Sequence, residues 1–390
     1  MLKLPFDEEQ RAALIELRRA LHRFPELSWK EEKTAERLEA AWRSMGVDDI
    51  RRVAGTGVVA RVRGTDRKAP VTAIRGDIDA LPIHEATGLS YASEMPGVMH
   101  ACGHDVHATW AVGAAMLLSQ QPARGDVLIV LQPAEEVGNG APAILESGAL
   151  DGVTAIFGGH VDRRFPVGQV VAQAGPLAAA ADSFSIEVHG KGAHGARPHE
   201  GIDPIVAAAA IVSAIQTVVS RRLDPGASAV VTIGTIHGGS APNVIPEQVV
   251  LTGTIRAMLP AVRTLLHNEV TAVATSVAAA HGATAKVVID RGPPPVVNSE
   301  RESAWARTAA ERVLGAGNVV PFGITNMGGE DFACYLERIG GCFLRIGARE
   351  PGGEPAPAHS PRFVAAEESI FVGAAVLAEC ARVATETHDT

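Results

Sequence analysis

The sequence predicts an α/β fold, a mixed sheet flanked by helices, interrupted by a smaller α+β unit of ferredoxin-like pattern. Three observations carry that expectation. Apolar strand-like runs alternate with helix-period stretches in the first half, a β-α-β-β-α-β succession fills the middle, and Pro293-Pro294-Pro295 follows it directly. The 390 residues are 46% hydrophobic, enough for a large core, and the length suits two domains better than one.

Taken in order, residues 8–23 and about 29–45 carry Leu, Ala and charged residues at helical spacing, with Gly46 and Gly55-Thr56-Gly57 as punctuation. Residues 58–62 and 71–74 read as short strands, 126–131 as a fully buried one, and the Ala-rich 107–118 as a helix between them. A further apolar run covers 153–157. From about 183 to 290 the pattern gives a strand (184–189), a helix (203–220), strands (228–236 and 248–257), a helix (262–281) and a strand (283–289). The triple proline can continue neither a helix nor a central strand, so it marks the hinge back into the first domain. The expected segments are 1–181 and 293–390 for one domain and 182–292 for the other.

A formal charge of −9 and a pI near 5.9 argue against a nucleic-acid or anionic-membrane partner, either of which wants a basic face. A small molecule is the expected ligand. No continuous apolar run reaches the roughly 18 residues of a membrane span, and the opening Met1-Leu2-Lys3-Leu4-Pro5-Phe6 lacks a signal-peptide core. A soluble, cytoplasmic chain is expected. Cys102, Cys334, Cys342 and Cys380 are too few and too scattered for a disulfide framework.

Chemistry concentrates in His100-Ala101-Cys102-Gly103-His104-Asp105-Val106-His107, one thiol, three imidazoles and a carboxylate in a single short stretch. That is the donor set of a transition-metal site. Gln132-Pro133-Ala134-Glu135-Glu136 directly follows the buried strand, where adjacent side chains point different ways. One glutamate can then bind metal while its neighbour faces a substrate, although an isolated pair would equally suit a solvated loop. Arg75-Gly76-Asp77-Ile78-Asp79 ends another strand and Gly158-Gly159-His160 follows another apolar run. Acids and histidine at three strand ends, with the Cys-Gly-His loop, converge on one expected site.

Seven ordered stretches span nearly the whole chain: Asp77-Ile78-Asp79-Ala80-Leu81-Pro82, His100-Ala101-Cys102-Gly103-His104-Asp105, Gln132-Pro133-Ala134-Glu135-Glu136, Gly192-Ala193-His194, Asn243-Val244-Ile245-Pro246-Glu247, Gly328-Gly329-Glu330-Asp331-Phe332 and His359-Ser360-Pro361. Together they resemble the hippurate hydrolase and auxin-conjugate (IAA-amino acid) hydrolase branch of the aminoacylase and carboxypeptidase metallo-amidohydrolase superfamily. The resemblance implies a zinc-peptidase-like catalytic domain, a lid that often dimerises, and two divalent metal ions (zinc, manganese, cobalt or nickel) serving amide hydrolysis. Carried over, it makes Cys102, His104, Glu136, His160 and His359 the metal ligands and has Asp79 hydrogen-bond a ligating histidine. It makes Glu135 the general base that deprotonates a metal-activated water and returns the proton to the leaving amine. It sends His194, on a glycine-flanked turn, to the oxyanion of the neighbouring subunit's site, and gives Asn243 and Arg256 the substrate carboxylate or scissile carbonyl.

The implied substrate is a small N-acyl (acetyl, benzoyl or aryl-acetyl) amino acid. A dipeptidase or carboxypeptidase of the same superfamily, or an inactive binding protein, is the alternative, and the implied assembly is a homodimer or homotetramer through the lid. On their own chemistry, Cys102 could be a buried inert thiol, His100 and His107 core or supporting histidines, Asp77 and Asp105 capping groups, His194 a surface-turn histidine and Arg256 a solvated strand charge. No Gly-x-Ser-x-Gly elbow supports a serine nucleophile; a thiol-dependent enzyme using Cys102 directly stays an alternative, though a cramped one, because residues two apart such as Cys102 and His104 rarely align for in-line proton transfer. Two departures stand out. After His160, relatives tend to carry an apolar residue and a proline, whereas this chain has Val161-Asp162-Arg163-Arg164-Phe165-Pro166, expected to be a solvent-facing loop. Gly76, where relatives often have alanine, is expected to change little.

Overall fold

Helix α1 (Glu8–Arg23) forms as its sequence requires: Asp7 and Gln10 make a capping box, Glu8 and Glu9 sit in the first turn, and His22 and Arg23 in the last, where the helix dipole favours each sign. In the computed structural model, which describes residues 3–47, 49–353 and 357–386, the chain runs on through α2 (Glu32–Ser44), β1 (Ile50–Val53), β2 (Gly57–Val62), β3 (Val71–Asp77), α3 (His104–Gln120), β4 (Val127–Gln132), α4 (Gly140–Glu146), β5 (Val153–Pro166) and β6 (Val170–Val171). It continues through β7 (Gly175–Ala178), β8 (Ala180–His189), β9 (Ala193–His194), α5 (Pro204–Thr217), β10 (Ala229–Gly238), β11 (Val244–Ile245), β12 (Gln248–Ala257), α6 (Pro260–Ala280) and β13 (Thr284–Asp290). It returns through β14 (Val296–Asn298), α7 (Glu300–Leu314), α8 (Ala333–Leu336), β15 (Gly341–Arg349) and α9 (Glu368–Glu386). Two compact units result: Met1–Gly175 with Asn298–Gly323 and Cys334–Thr390, and Pro176–Val297 with Ile324–Ala333.

The first unit is built on a seven-stranded mixed sheet in the order β1-β2-β4-β3-β5-β15-β6. Its middle strands β4, β3, β5 and β15 are parallel, and β1, β2 and β6 add antiparallel margins. Parallel neighbours need a crossover, and α3 supplies it between β3 and β4. Helices α3 and α9 pack on each other and over the sheet, closing a core that includes Trp110, Phe157, Leu344 and Phe371. Each such side chain contributes about 1.5–3 kcal/mol by leaving water.

Several boundaries differ from the sequence expectation, each for a physical reason. α3 starts about one turn earlier than expected, because Gly103 takes a left-handed φ of +89° and turns the chain so that His104 is already helical. α2 starts later, because Trp29 at φ +65° cannot be helical. β5 runs to Pro166, its far half paired with β15, so His160 lies within a strand rather than after one. Residues 161–166 are therefore no solvent-facing loop. Asp162 and Arg163 are buried, Arg163 pairing with Glu350 at 2.8 Å and Asp162 with Arg164 at 2.5 Å.

The second unit carries a four-stranded antiparallel sheet in the order β10-β12-β8-β13, which with α5 and α6 is the ferredoxin-like arrangement. Asp203 caps α5 by accepting from the backbone of Ile205 and Val206. The helical stretch Pro204–Arg222 has the length and mean hydropathy (1.5) of a membrane span. Its Ala207, Ala208, Ile211, Ile215 and Val218 nevertheless belong to the core of this unit.

Gly76 matters more than its sequence suggests. A Cβ there would lie 2.5 Å from the His107 carbonyl oxygen, so the missing side chain lets α3 approach β3. Gly76→Ala should therefore destabilise the protein by about 1–3 kcal/mol, the usual cost of overpacking; urea unfolding with an unchanged m value checks it, and a midpoint equal to wild type refutes the close-approach argument.

Candidate metal centre

The carboxyl ends of β3 and β4, the middle of β5 and the start of α3 bring Cys102, His104, Glu135, Glu136, His160 and Asp79 together, and the loop after β15 adds His359. Two donor groups form that share one atom. Cys102, His104 and His160 place their donor atoms within 4.8 Å of one another, and so do Cys102, Glu136 and His359. A third group, His104 with Glu135 and Glu136, sets both glutamates at the same place.

The histidine ring orientations follow from their outer nitrogens. His104 Nδ1 lies 2.9 Å from the Asp79 carbonyl and 3.2 Å from Asp79 Oδ1, so it donates there and leaves Nε2 as a lone pair. His160 Nδ1 donates to the Val161 carbonyl at 2.7 Å, and its Nε2 stands 3.2 Å from Cys102 Sγ. His359, at a left-handed φ of +66°, turns Nε2 to within 3.3 Å of Glu136 Oε2. Gly103 allows the loop this path, since a Cβ there would meet Val161 Cγ2 at 2.5 Å.

Electrostatics shows what the cluster lacks. Burial pushes the Cys102 thiol well up, with the nearby Glu136 carboxylate adding to it. Burial also opposes a charge on His104, but Asp77, Asp79 and Cys102 outweigh it and raise that imidazole well above its ordinary value. Among the described residues, the buried His104 Nε2 and Glu136 Oε1 meet no hydrogen-bond partner, although they face each other at 3.8 Å. Unpartnered nitrogen and oxygen atoms converging beside a buried thiol fit a divalent transition metal.

The three remaining site residues fall in the second unit. His194 lies opposite Val244 in the β9–β11 pair, next to Asn243, whose carbonyl accepts from Gly195 N at 2.8 Å; both His194 and Asn243 are exposed. Arg256 lies on β12 opposite Ala181 and Val230.

Comparison with known proteins is decisive for the family. The sequence matches the profile of peptidase family M20/M25/M40 over residues 73–383. N-acetyl-L-cysteine deacetylase of Bacillus subtilis (strain 168) is 41% identical over 379 residues, covering 96% of this chain and 89% of the relative. The chain belongs to peptidase family M20/M25/M40. IAA-amino acid hydrolase ILR1-like 5 of Arabidopsis thaliana is 40% identical over 375 residues, 94% of this chain and 86% of the relative. The crystal structure of the Bacillus subtilis YXEP protein, described as a dinuclear metal binding peptidase of the M20 family, has a TM-score of 0.87 at 38% identity and covers 98% of this chain and 100% of that one. The branch and the fold expected from the seven motifs both stand, and this M20 chain is a hydrolase of amide bonds.

Behind the donors of this M20 site lie two buried polar networks that the sequence left open. In one, Arg75 Nη1 donates to Asp77 Oδ2 at 2.5 Å, Asp77 Oδ1 accepts from His107 Nδ1 at 2.6 Å, and His107 Nε2 accepts from Val161 N at 3.0 Å. Burial holds His107 below its ordinary pKa, neutral, as its accepting Nε2 requires. His107 and Asp77 therefore act through the strand that carries His160 and are held by it. In the other, Asp105 Oδ2 lies 2.8 Å from both Arg18 Nε and His22 Nδ1, and His22 Nε2 lies 3.2 Å from Glu85. Arg18 and His22 sit in the Leu14, Arg18, Leu21, His22 stripe of α1, where charge at apolar spacing was the available signal. His100 is buried too, and burial brings its pKa down to about 4.

Replacing His107 by Ala should weaken metal binding about 10–100-fold, as loss of a ligand's supporting contacts does elsewhere. Metal titration of chelator-stripped protein reads this directly; wild-type affinity in the variant removes His107 from any part in orienting His160.

Proposed function

We propose that this chain is a metal-dependent amidohydrolase that cleaves small N-acyl amino acids. The observation that carries the reading is the pair of donor groups, Cys102-His104-His160 and Cys102-Glu136-His359, with Glu135 beside them. The deacetylation and auxin-conjugate hydrolysis named for its relatives favour acetyl, benzoyl or aryl-acetyl amino acids over peptides as substrates.

When bound, two divalent cations supply Lewis acidity that polarises the scissile carbonyl and acidifies water. Cys102, His104, Glu136, His160 and His359 would hold them. Glu135, whose Oε2 lies 3.8 Å from His104 Nε2, takes the proton of the attacking water and delivers it to the leaving amine. Asp79 keeps His104 in the tautomer that presents Nε2, and His194 stabilises the oxyanion, with Asn243 and the forked guanidinium of Arg256 receiving the substrate's carboxylate.

Glutamine variants separate base from ligand. Glu135→Gln should keep its metal but lose at least about 100-fold in kcat, the usual weight of a general base; Glu136→Gln should lose metal affinity as well. Elemental analysis with kinetics on N-acetyl, benzoyl and indole-acetyl amino acids is the measurement. Equal metal loss in both variants, or full turnover by protein verified to be metal-free, would falsify the reading.

We further propose a homodimer through the lid formed by the second unit, in a soluble, cytoplasmic enzyme. Ile205 and Val206 on α5 and Val230 and Ile236 on the edge strand β10 are exposed apolar side chains of the kind a partner covers. If His194 serves the partner's site, mixing His194→Ala with Glu135→Gln protein under subunit exchange should restore part of the activity, because one hybrid site is intact. Heterodimers that form and stay inactive rule out the shared site.

A further inference from the structure

Glu31 stands where a helix N-cap stands, immediately before α2, yet its side chain makes no capping bond. The residue is 0% exposed, and both carboxylate oxygens are engaged elsewhere. Oε2 accepts from Thr56 Oγ1 at 2.6 Å, and Oε1 accepts from the backbone N–H of Ala134 at 2.9 Å. Ala134 is the residue before Glu135, and its φ of +54° lies in the left-handed region that an alanine occupies only when its surroundings hold it there.

A second carboxylate holds the other side. The N–H of Glu136 donates to Asp79 Oδ2 at 3.0 Å, and that same oxygen accepts from Ser28 Oγ at 2.8 Å. Ser28 and Glu31 belong to one loop, between α1 and α2, which is fastened further by Ala80 N donating to the Glu26 carbonyl at 2.9 Å. Glu26 in turn accepts from Thr34 N at 2.8 Å and so supplies the α2 cap that Glu31 does not. The backbone N–H groups on both sides of Glu135 are thus captured, one by Glu31 directly and one by Asp79, itself supported by Ser28.

We propose that the α1–α2 loop is a brace that positions Glu135, with Glu31 as the positioning residue that holds Ala134 in its left-handed turn. The inference rests on Glu135 being the general base. The turn at Ala134 sets the direction in which Glu135 leaves the strand end, so that Glu135 and Glu136 present their carboxylates to different tasks. Without Glu31, Ala134 relaxes to a negative φ and Glu135 shifts, while Asp79 still holds Glu136 and the metal ligands stay in place. Glu31 touches neither substrate nor metal. Its effect is expected in kcat and in local backbone stability.

The test uses full-length, metal-loaded protein carrying Glu31→Ala, Glu31→Gln, or Glu31→Ala combined with Ala134→Gly. For Glu31→Ala, kcat should fall about 100-fold with KM within about threefold, the scale on which a misplacement of about 1 Å acts. Metal content should equal that of wild type. Amide exchange over residues 133–140 should accelerate at least about tenfold, since the opening is local. Adding Ala134→Gly should recover about tenfold in kcat, because glycine takes a positive φ without strain; a residue needed only for overall folding has no reason to be rescued by that change. Should Glu31→Ala fail to fold, Glu31→Gln, which keeps the shape and one accepting oxygen, should show the same changes at about a tenth of their size. Wild-type kcat and wild-type exchange in the folded variant overturn the brace, and so does a loss that Ala134→Gly leaves untouched. Exchange needs no substrate, so a wild-type protein that hydrolyses no N-acyl amino acid sinks the proposed function while the exchange rates still decide on the brace.

Discussion

Asp79 is the group on which the site depends. One carboxylate and its own backbone carbonyl fix His104 through Nδ1, accept the Ser28 hydroxyl and capture the N–H of Glu136. Four pieces of chain that are remote in sequence, the α1–α2 loop, the end of β3, the start of α3 and the loop after β4, meet there. Burial works against its charge, but the hydrogen bonds from His104, Glu136 and Ser28 outweigh it and hold the Asp79 carboxyl below its usual range. A buried carboxylate that is fully partnered is rigid, and that rigidity passes to every group it touches.

The arrangement of charge explains why the cluster suits cations. Asp77, Asp79, Glu135 and Glu136 gather around His104, with Arg75 pairing to Asp77. Burial pushes the Cys102 thiol up, and the carboxylates nearby push the His104 imidazole up against its own burial. A metal-binding cysteine is a thiolate, so metal binding at Cys102 would be coupled to its deprotonation. Two buried arginines pair with buried aspartates: Arg18 with Asp105, and Arg75 with Asp77, whose Oδ2 also lies 3.9 Å from His104 Nε2.

Most of the fold was legible because its signals are local. The apolar run of β4, the capping of α1 and the β-α-β-β-α-β succession are read from a few neighbouring residues, and they gave the sheet and the ferredoxin-like unit. The donor residues were legible because thiol, imidazole and paired carboxylates are rare together and recur in ordered motifs. What escaped were consequences of long-range contact. The buried state of Asp162 and Arg163 depends on β15, which lies nearly two hundred residues later, and the importance of Gly76 depends on where α3 comes to rest. Glu31 escaped because a glutamate before a helix normally reads as capping or solvated charge, and only the fold brings Thr56 and Ala134 to it.

Backbone strain gathers where the chemistry is. Among the described residues, the positive-φ positions other than glycine are Trp29, Ala54, Ala134 and His359. His359 is itself a donor, Ala134 precedes the glutamate pair, Trp29 lies between Ser28 and Glu31, and Ala54 lies two residues before the Thr56 that Glu31 holds. Each such residue costs of order 1–3 kcal/mol and persists only where surrounding contacts over-determine it. For Ala134 that contact is the hydrogen bond to the buried Glu31 carboxylate, strengthened by the exclusion of water, and for His359 it is the N–H donated to the Ala101 carbonyl at 2.8 Å. Dry oxygen thus fixes the backbone in an otherwise unfavourable shape, and the shape so fixed aims the remaining lone pairs at a common point.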